Sequence, residues 1–148
     1  MKFIVDSMLG KLAKRLRMLG YDTLYEAHLD DRTILKVSKE EDRYIVTRDT
    51  QLSKIRGAKV FLIRSTDLEQ QLGEIKELAK IRRISKNIFS RCSECNTLLE
   101  IADKEKVKDI VPPFVYRTFD DFHFCPACNK AYWRGTHVDS ILKELKKV

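Results

Sequence analysis

The stretch Arg43-Tyr44-Ile45-Val46-Thr47-Arg48-Asp49-Thr50-Gln51-Leu52 decides how the chain is read. From Tyr44 to Thr47 it is aromatic and β-branched, the composition of a short buried strand. It then stops at Arg48-Asp49 and turns polar. In an open α/β sheet, ligands sit just beyond the carboxyl ends of the strands. A carboxylate at such an end is a candidate for chemistry. Asp6 ends Phe3-Ile4-Val5 in the same way, so the first half of the chain reads as a scaffold that brings two acids to one edge.

Working outward, residues 2–6 are the first expected strand. Leu9, Leu12, Ala13 and Leu16 follow with the spacing of an amphipathic helix, and Gly20 is placed to end it. The opposite face of that helix carries Lys11, Lys14, Arg15 and Arg17. Residues 22–26 form a second expected strand. Asp30 and Asp31 then offer N-cap chemistry for a helix to about residue 42. Further strands are expected over 43–48 and 60–64, with a short helix or turn around 51–55 closed by Gly57. Thr66-Asp67-Leu68-Glu69 reads as a capping box, opening a helix whose stripe is Leu68, Leu72, Ile75 and Ala79. Strands alternating with helices imply an α/β domain over residues 1–85, its parallel sheet covered by helices on both faces.

The pattern changes over residues 86–148. Cys92, Cys95, Cys125 and Cys128 form two Cys-x-x-Cys pairs, the spacing of two zinc knuckles that complete a tetrahedral Cys₄ site. Such a closed sphere folds a module and leaves no position for catalysis. Strands are expected over 97–101 and 131–134, an insertion over 103–122 and a helix over 139–147. Aromatic residues crowd this part. Tyr132, Trp133 and Arg134 suit either base stacking or the small core of a ribbon, and Trp133 favours core. His137 is expected to pack, hydrogen-bond or meet RNA, while His28 and His123 read as ordinary surface or loop residues.

The formal net charge is +7, and both parts of the chain are basic. That balance favours a polyanionic partner, nucleic acid above all. No apolar run approaches the roughly eighteen residues of a membrane span. The first residues have no apolar leader of the secretory kind, which makes the cytoplasm the expected compartment.

Asp6, Asp31 and Asp49 are the candidate site acids. Three carboxylates converging at one edge repel one another unless a cation lies between them. Hard oxygen donors select Mg²⁺ or Mn²⁺, which can promote phosphodiester hydrolysis. Asp67, past residues 60–64, is a candidate fourth acid, although its place in a capping box gives it a structural role too. Asp30 and Asp31 can equally be helix caps only. Lys11, Lys14, Arg15, Arg17 and Arg48 could hold flanking phosphates, although a basic helix face is also what plain solvation produces.

These residues carry a resemblance. Asp6 with Leu9-Gly-Lys-Leu-Ala-Lys-Arg-Leu-Arg-Met-Leu-Gly-Tyr-Asp22, then Asp31-Arg-Thr-Ile-Leu35, Thr47-Arg48-Asp49 and Gln71-Leu72, resemble the PIN-like ribonucleases. With Arg91-Cys92, Cys95-Asn96, Cys125-Pro126, Cys128 and Tyr132-Trp133-Arg134-Gly135-Thr136-His137, nearly the whole chain resembles the Mut-seven C-terminal RNase family, a PIN-like domain followed by a zinc ribbon. The resemblance implies that Asp6, Asp31 and Asp49 hold one or two Mg²⁺ or Mn²⁺ ions and that Thr47 supports them. It also implies an RNA substrate, or single-stranded nucleic acid more generally, cut to a 3′-hydroxyl and a 5′-phosphate. The competing readings are a non-catalytic RNA-binding module and a protein-docking module.

Overall fold

A computed structural model describes residues 1–81 and 86–147, without the side chains of His137 and residues 145–147. The expected division after Ser85 lies outside the described residues.

Four parallel strands form the first sheet: β1 (Lys2–Val5), β2 (Asp22–Leu24), β3 (Tyr44–Thr47) and β4 (Val60–Leu62), in the order β2-β1-β3-β4. The period-two alternation of a strand sorts the core onto its two faces. Phe3, Val5 and Val46 point to one side, where they meet Leu12 and Leu16 of α1 (Gly10–Met18) and Leu72 and Ile75 of α4 (Leu68–Leu78). Ile4 and Ile45 point to the other, against Ile34 of α2 (Asp31–Glu41) and Leu52 of α3 (Thr50–Ser53). Helices therefore cover both faces, as a parallel sheet requires.

The ends of these elements are set by local chemistry. Asp30 caps α2 by accepting the Thr33 N–H at 2.7 Å, and Asp42 ends it with φ 54°. Past α1 the chain turns at Gly20, φ +88°, where a Cβ would lie 2.2 Å from the carbonyl oxygen of Asn87. Both the left-handed backbone and the close approach demand glycine. The cap of α4 is Asp67 accepting the Gln70 N–H at 3.1 Å, not Thr66, so the expected capping box sits one residue later. β1 stops one residue before Asp6, whose carboxylate instead accepts the N–H of Ser7 in a 3₁₀ turn (Ser7–Leu9).

A second, antiparallel sheet has the order β5-β6-β7, from β5 (Glu100–Ala102), β6 (Phe122–Cys125) and β7 (Lys130–Trp133). β6 was not among the expected strands. The insertion folds as α5 (Lys104–Val107) and α6 (Pro113–Thr118). Val107, Val111 and Val115 pack there on Phe122 and Phe124, with Trp133 against the same cluster. The last helix, α7 (Thr136–Lys147), starts three residues earlier than expected and buries Ile141 in the core that contains Phe3 and Leu16. Among the described residues no helix is long and apolar enough to cross a membrane.

Candidate active site and cysteine centre

β1 and β3 pair with Val5 opposite Val46, so the residues that follow them leave the sheet at one edge. Asp6 is only 6% exposed. Its Oδ1 accepts the Ser7 N–H at 2.7 Å, and its Oδ2 accepts the Thr47 hydroxyl at 2.7 Å. The same Thr47 oxygen accepts the Asp49 N–H at 2.9 Å. A wholly buried threonine thus ties the carboxylate of one acid to the backbone of the other. Asp49, half-buried, caps α3 by accepting the Gln51 N–H at 2.7 Å.

Asp31 is the first residue of α2 and is exposed. Its carboxyl is pushed above its ordinary value, by desolvation first and then by the negative charges of Asp49, Asp6 and Asp30. The three candidate acids therefore lie within one another's field. Asp30 differs: its hydrogen bonds with Thr33 hold it below its ordinary value. The capping acid and the acid that feels the cluster are separate residues.

The carboxylates do not close on one another. Among the described residues, the four cysteines alone form a group of three or more His, Cys, Asp or Glu with donor atoms mutually within 4.8 Å. Mg²⁺ keeps several waters and is held by one or two carboxylates rather than by a protein cage. Each of these carboxylates is a hard oxygen donor with lone pairs to spare. Asp67 is engaged elsewhere, as the exposed cap of α4.

The basic residues divide. Arg17 is only 3% exposed. Its Nε donates to the Thr23 carbonyl at 2.8 Å, and its Nη1 to those of Ser93 at 3.1 Å and Glu94 at 2.8 Å. It clamps the first cysteine knuckle and faces no solvent, which corrects its expected place on a phosphate-binding face. Lys14 pairs with Glu94 at 2.8 Å and Arg15 with Glu144 at 3.6 Å, so this face of α1 is largely a packing interface. Lys11 stays exposed, and Arg48 is half-buried beside Asp49. Arg134 is exposed, 3.8 Å from Asp139. The side chain of His137 lies outside the described residues.

Cys92, Cys95, Cys125 and Cys128 bring their sulfurs together, with Cys95–Cys125 at 3.4 Å and Cys92–Cys128 at 3.9 Å. A tetrahedral Zn–S length of 2.3 Å implies sulfur separations of about 3.8 Å, so the four could bind a metal such as zinc. Asn96 (φ 72°) and Asn129 (φ 55°) follow the second cysteine of each pair, giving both knuckles the same left-handed turn. Burial pushes the Cys95 thiol up, but hydrogen bonds with Thr97 and its sister cysteines outweigh that and bring it down to about 6. Cys128 is pushed up to about 12, chiefly by its bond with Cys95. A cation among the four sulfurs would stabilise their thiolates together.

Several supporting residues escaped the sequence reading. The Tyr132 hydroxyl lies 3.0 Å from Cys92 Sγ. The Asn96 side chain accepts the Thr23 N–H at 2.9 Å and donates to Asp22 at 2.8 Å, sealing the outer edge of β2 with the cysteine knuckle. These are contacts between distant segments, and no local spacing announces them.

The Mut7-C RNAse domain family model matches residues 1–145, and the chain belongs to that family. A human protein described as an exonuclease mut-7 homolog is 31% identical over 101 residues, covering 64% of this chain. The match takes in 12% of that protein's length. No solved structure matches the chain.

Proposed function

We propose that this member of the Mut7-C RNAse domain family is a ribonuclease of the PIN-like class that works with Mg²⁺ or Mn²⁺ at Asp6, Asp31 and Asp49. The observation that carries the reading is the Thr47 bridge from the Asp6 carboxylate to the Asp49 backbone, with Asp31 in the field of both. Asp6, Asp31 and Asp49 would hold the divalent ion, which when bound would supply positive charge for the scissile phosphate and lower the pKa of a water.

The chain's own groups do the rest. Thr47 donates to Asp6 Oδ2 and so fixes the carboxylate, leaving its remaining lone pairs toward the edge. Asp49 is held in orientation at both its backbone and its side chain. Asp31 stands at the start of α2, exposed and in the field of Asp49 and Asp6, as the third carboxylate that would hold the ion. Arg48, next to Asp49, and the exposed Lys11 are placed to hold flanking phosphates. Arg134 and His137 extend RNA contact onto the ribbon.

The cysteine centre holds zinc in this reading. Its role is structural, because four thiolates fill the sphere and the knuckle braces α1 and β2 through Arg17 and Asn96. Free thiols kept as metal ligands suit a reducing compartment, the cytoplasm.

Cleavage of labelled single-stranded RNA with Mn²⁺ tests the mechanism. Asp6→Asn and Asp49→Asn should each lower cleavage by roughly 10²–10³-fold and retain RNA binding. Full activity in either variant would exclude these acids as the catalytic centre.

A further inference from the structure

A cavity of about 500 Å³ lies where the end of α1, residues 88–93, the β6–β7 face and α7 meet. Neither the acid edge nor the cysteine centre uses it. Met18, Leu99, Val138 and Leu142 give it apolar wall, and Arg91, His123, Tyr132, Trp133 and Arg134 give it flat and cationic groups. The volume is that of a small-ligand site, too small for a duplex and ample for a base with its sugar.

The flat groups are held in place. The Tyr132 hydroxyl is fixed at Cys92, and the Arg91 guanidinium donates from Nη1 to the Asn96 carbonyl at 3.0 Å. Trp133 is half-buried and braced by the core around Phe122. His123 is directly opposite Tyr132 in the sheet and half-buried, so it is no ordinary loop residue. Fixed rings and guanidinium planes are the surfaces on which unstacked bases stack. Two guanidiniums with Asp121 as the carboxylate among the lining groups favour an anionic strand over an apolar peptide.

We propose that this cavity takes one unpaired nucleobase of the RNA strand cut at the acid edge. The proposal rests on the ribonuclease reading for the identity of the strand. Met18, in the cavity wall, ends the nine-residue α1, roughly 13 Å long, and the Ser7–Leu9 turn joins its start to Asp6, so the two sites lie at opposite ends of this segment. One strand reaches both, and the held base sits a few nucleotides from the scissile phosphate.

Trp133 is the single tryptophan of the chain; its ring packs with Phe122 on the face opposite Tyr132 and His123 and borders the cavity from β7, so its emission reports on a ligand held beside it. The zinc-loaded protein is titrated with an unstructured RNA hexamer in Ca²⁺, which replaces the catalytic ion and keeps the strand intact. Saturable quenching of Trp133 is expected. An abasic hexamer should bind roughly tenfold more weakly and leave the emission unchanged. His123→Ala and Arg134→Ala, checked for fold by circular dichroism, should each weaken hexamer binding by about the same factor. Equal binding of the abasic and intact hexamers, or equal quenching by the abasic strand, overturns the pocket and leaves the nuclease reading intact. So does quenching by an apolar peptide that RNA fails to displace. Base-dependent quenching in a protein that cuts nothing upholds the pocket and removes the nuclease reading alone.

Discussion

The cysteine centre and the acid edge solve opposite problems with the same economy of chain. At the first, four soft donors from two matching turns lie mutually within 4.8 Å, and a tyrosine, a threonine and an arginine clamp surround them. At the second, three hard donors stand at the ends of separate elements, Asp6 and Asp49 each tied to a local N–H and Asp31 exposed at the start of α2, and they stop short of closing. The contrast fits the roles proposed for each. A site that folds a module gains from a complete sphere, whereas a site that handles a phosphate must leave room for it. The raised Asp31 carboxyl is a sign of the second plan, charge held ready and uncompensated.

The strongest way to break the comparison is to remove the closed site. Cys92→Ser with Cys125→Ser should take bound zinc from one per chain to none, as read by metal analysis, and unfold the second sheet in circular dichroism. Structural zinc is worth on the order of 10 kcal/mol to a module of this kind, more than any other single change here. At the open site the same rigour of substitution should spare the fold. Asp6→Asn should lower RNA cleavage by roughly 10²–10³-fold while the thermal midpoint stays nearly constant.

Arg17→Met joins the two regions. It leaves the Thr23, Ser93 and Glu94 carbonyls without their donor, a loss of about 3 kcal/mol and a fall in thermal midpoint of several degrees. Thr47→Val removes one hydroxyl from between two acids, and kcat/KM should fall by about tenfold with a stability change near 1 kcal/mol.

The smallest effect concerns pH. A carboxyl whose folded pKa is raised is disfavoured when charged, so it subtracts stability above that pKa and ceases to do so as pH falls through it. Asp31→Asn should therefore raise the metal-free thermal midpoint at neutral pH by about 1 °C or less, since the group is exposed, and the gain should vanish in acid. Mn²⁺ affinity measured by titration should begin to fall at higher pH than an ordinary carboxylate would dictate, and Asp49→Asn should move that fall lower.

Much of the acid edge was legible because its logic is local. Apolar runs that end in Asp6 and Asp49 declare both the strands and the edge, and the Cys-x-x-Cys spacing declares the knuckles. Whether Asp30 or Asp31 belongs to the cluster was not legible, because both suit a helix start and only the turn of the chain aims one at Asp49. Arg17 misled for a physical reason: helical periodicity separates apolar from polar faces and is blind to a polar face that packs on another segment. β6 was hidden because Phe122-His123-Phe124-Cys125 follows a loop of aromatic and acidic residues, and its pairing is with strands on either side in space. Asp67 and Thr66 are both good caps, and the helix chose the later one.

The clamp at Arg17 has a consequence for how this chain can vary. It grips carbonyl oxygens, which every residue offers, and not the side chains at positions 93 and 94. In a saturation-mutagenesis library position 17 should tolerate almost nothing, while position 94, whose own side chain makes only the exposed pair with Lys14, should accept most residues. Arg17's share of the joint between the parallel sheet and the cysteine knuckle is thus written into one letter of the sequence, and covariation statistics would find no side-chain partner for it, unlike the Asn96–Asp22 bond beside it.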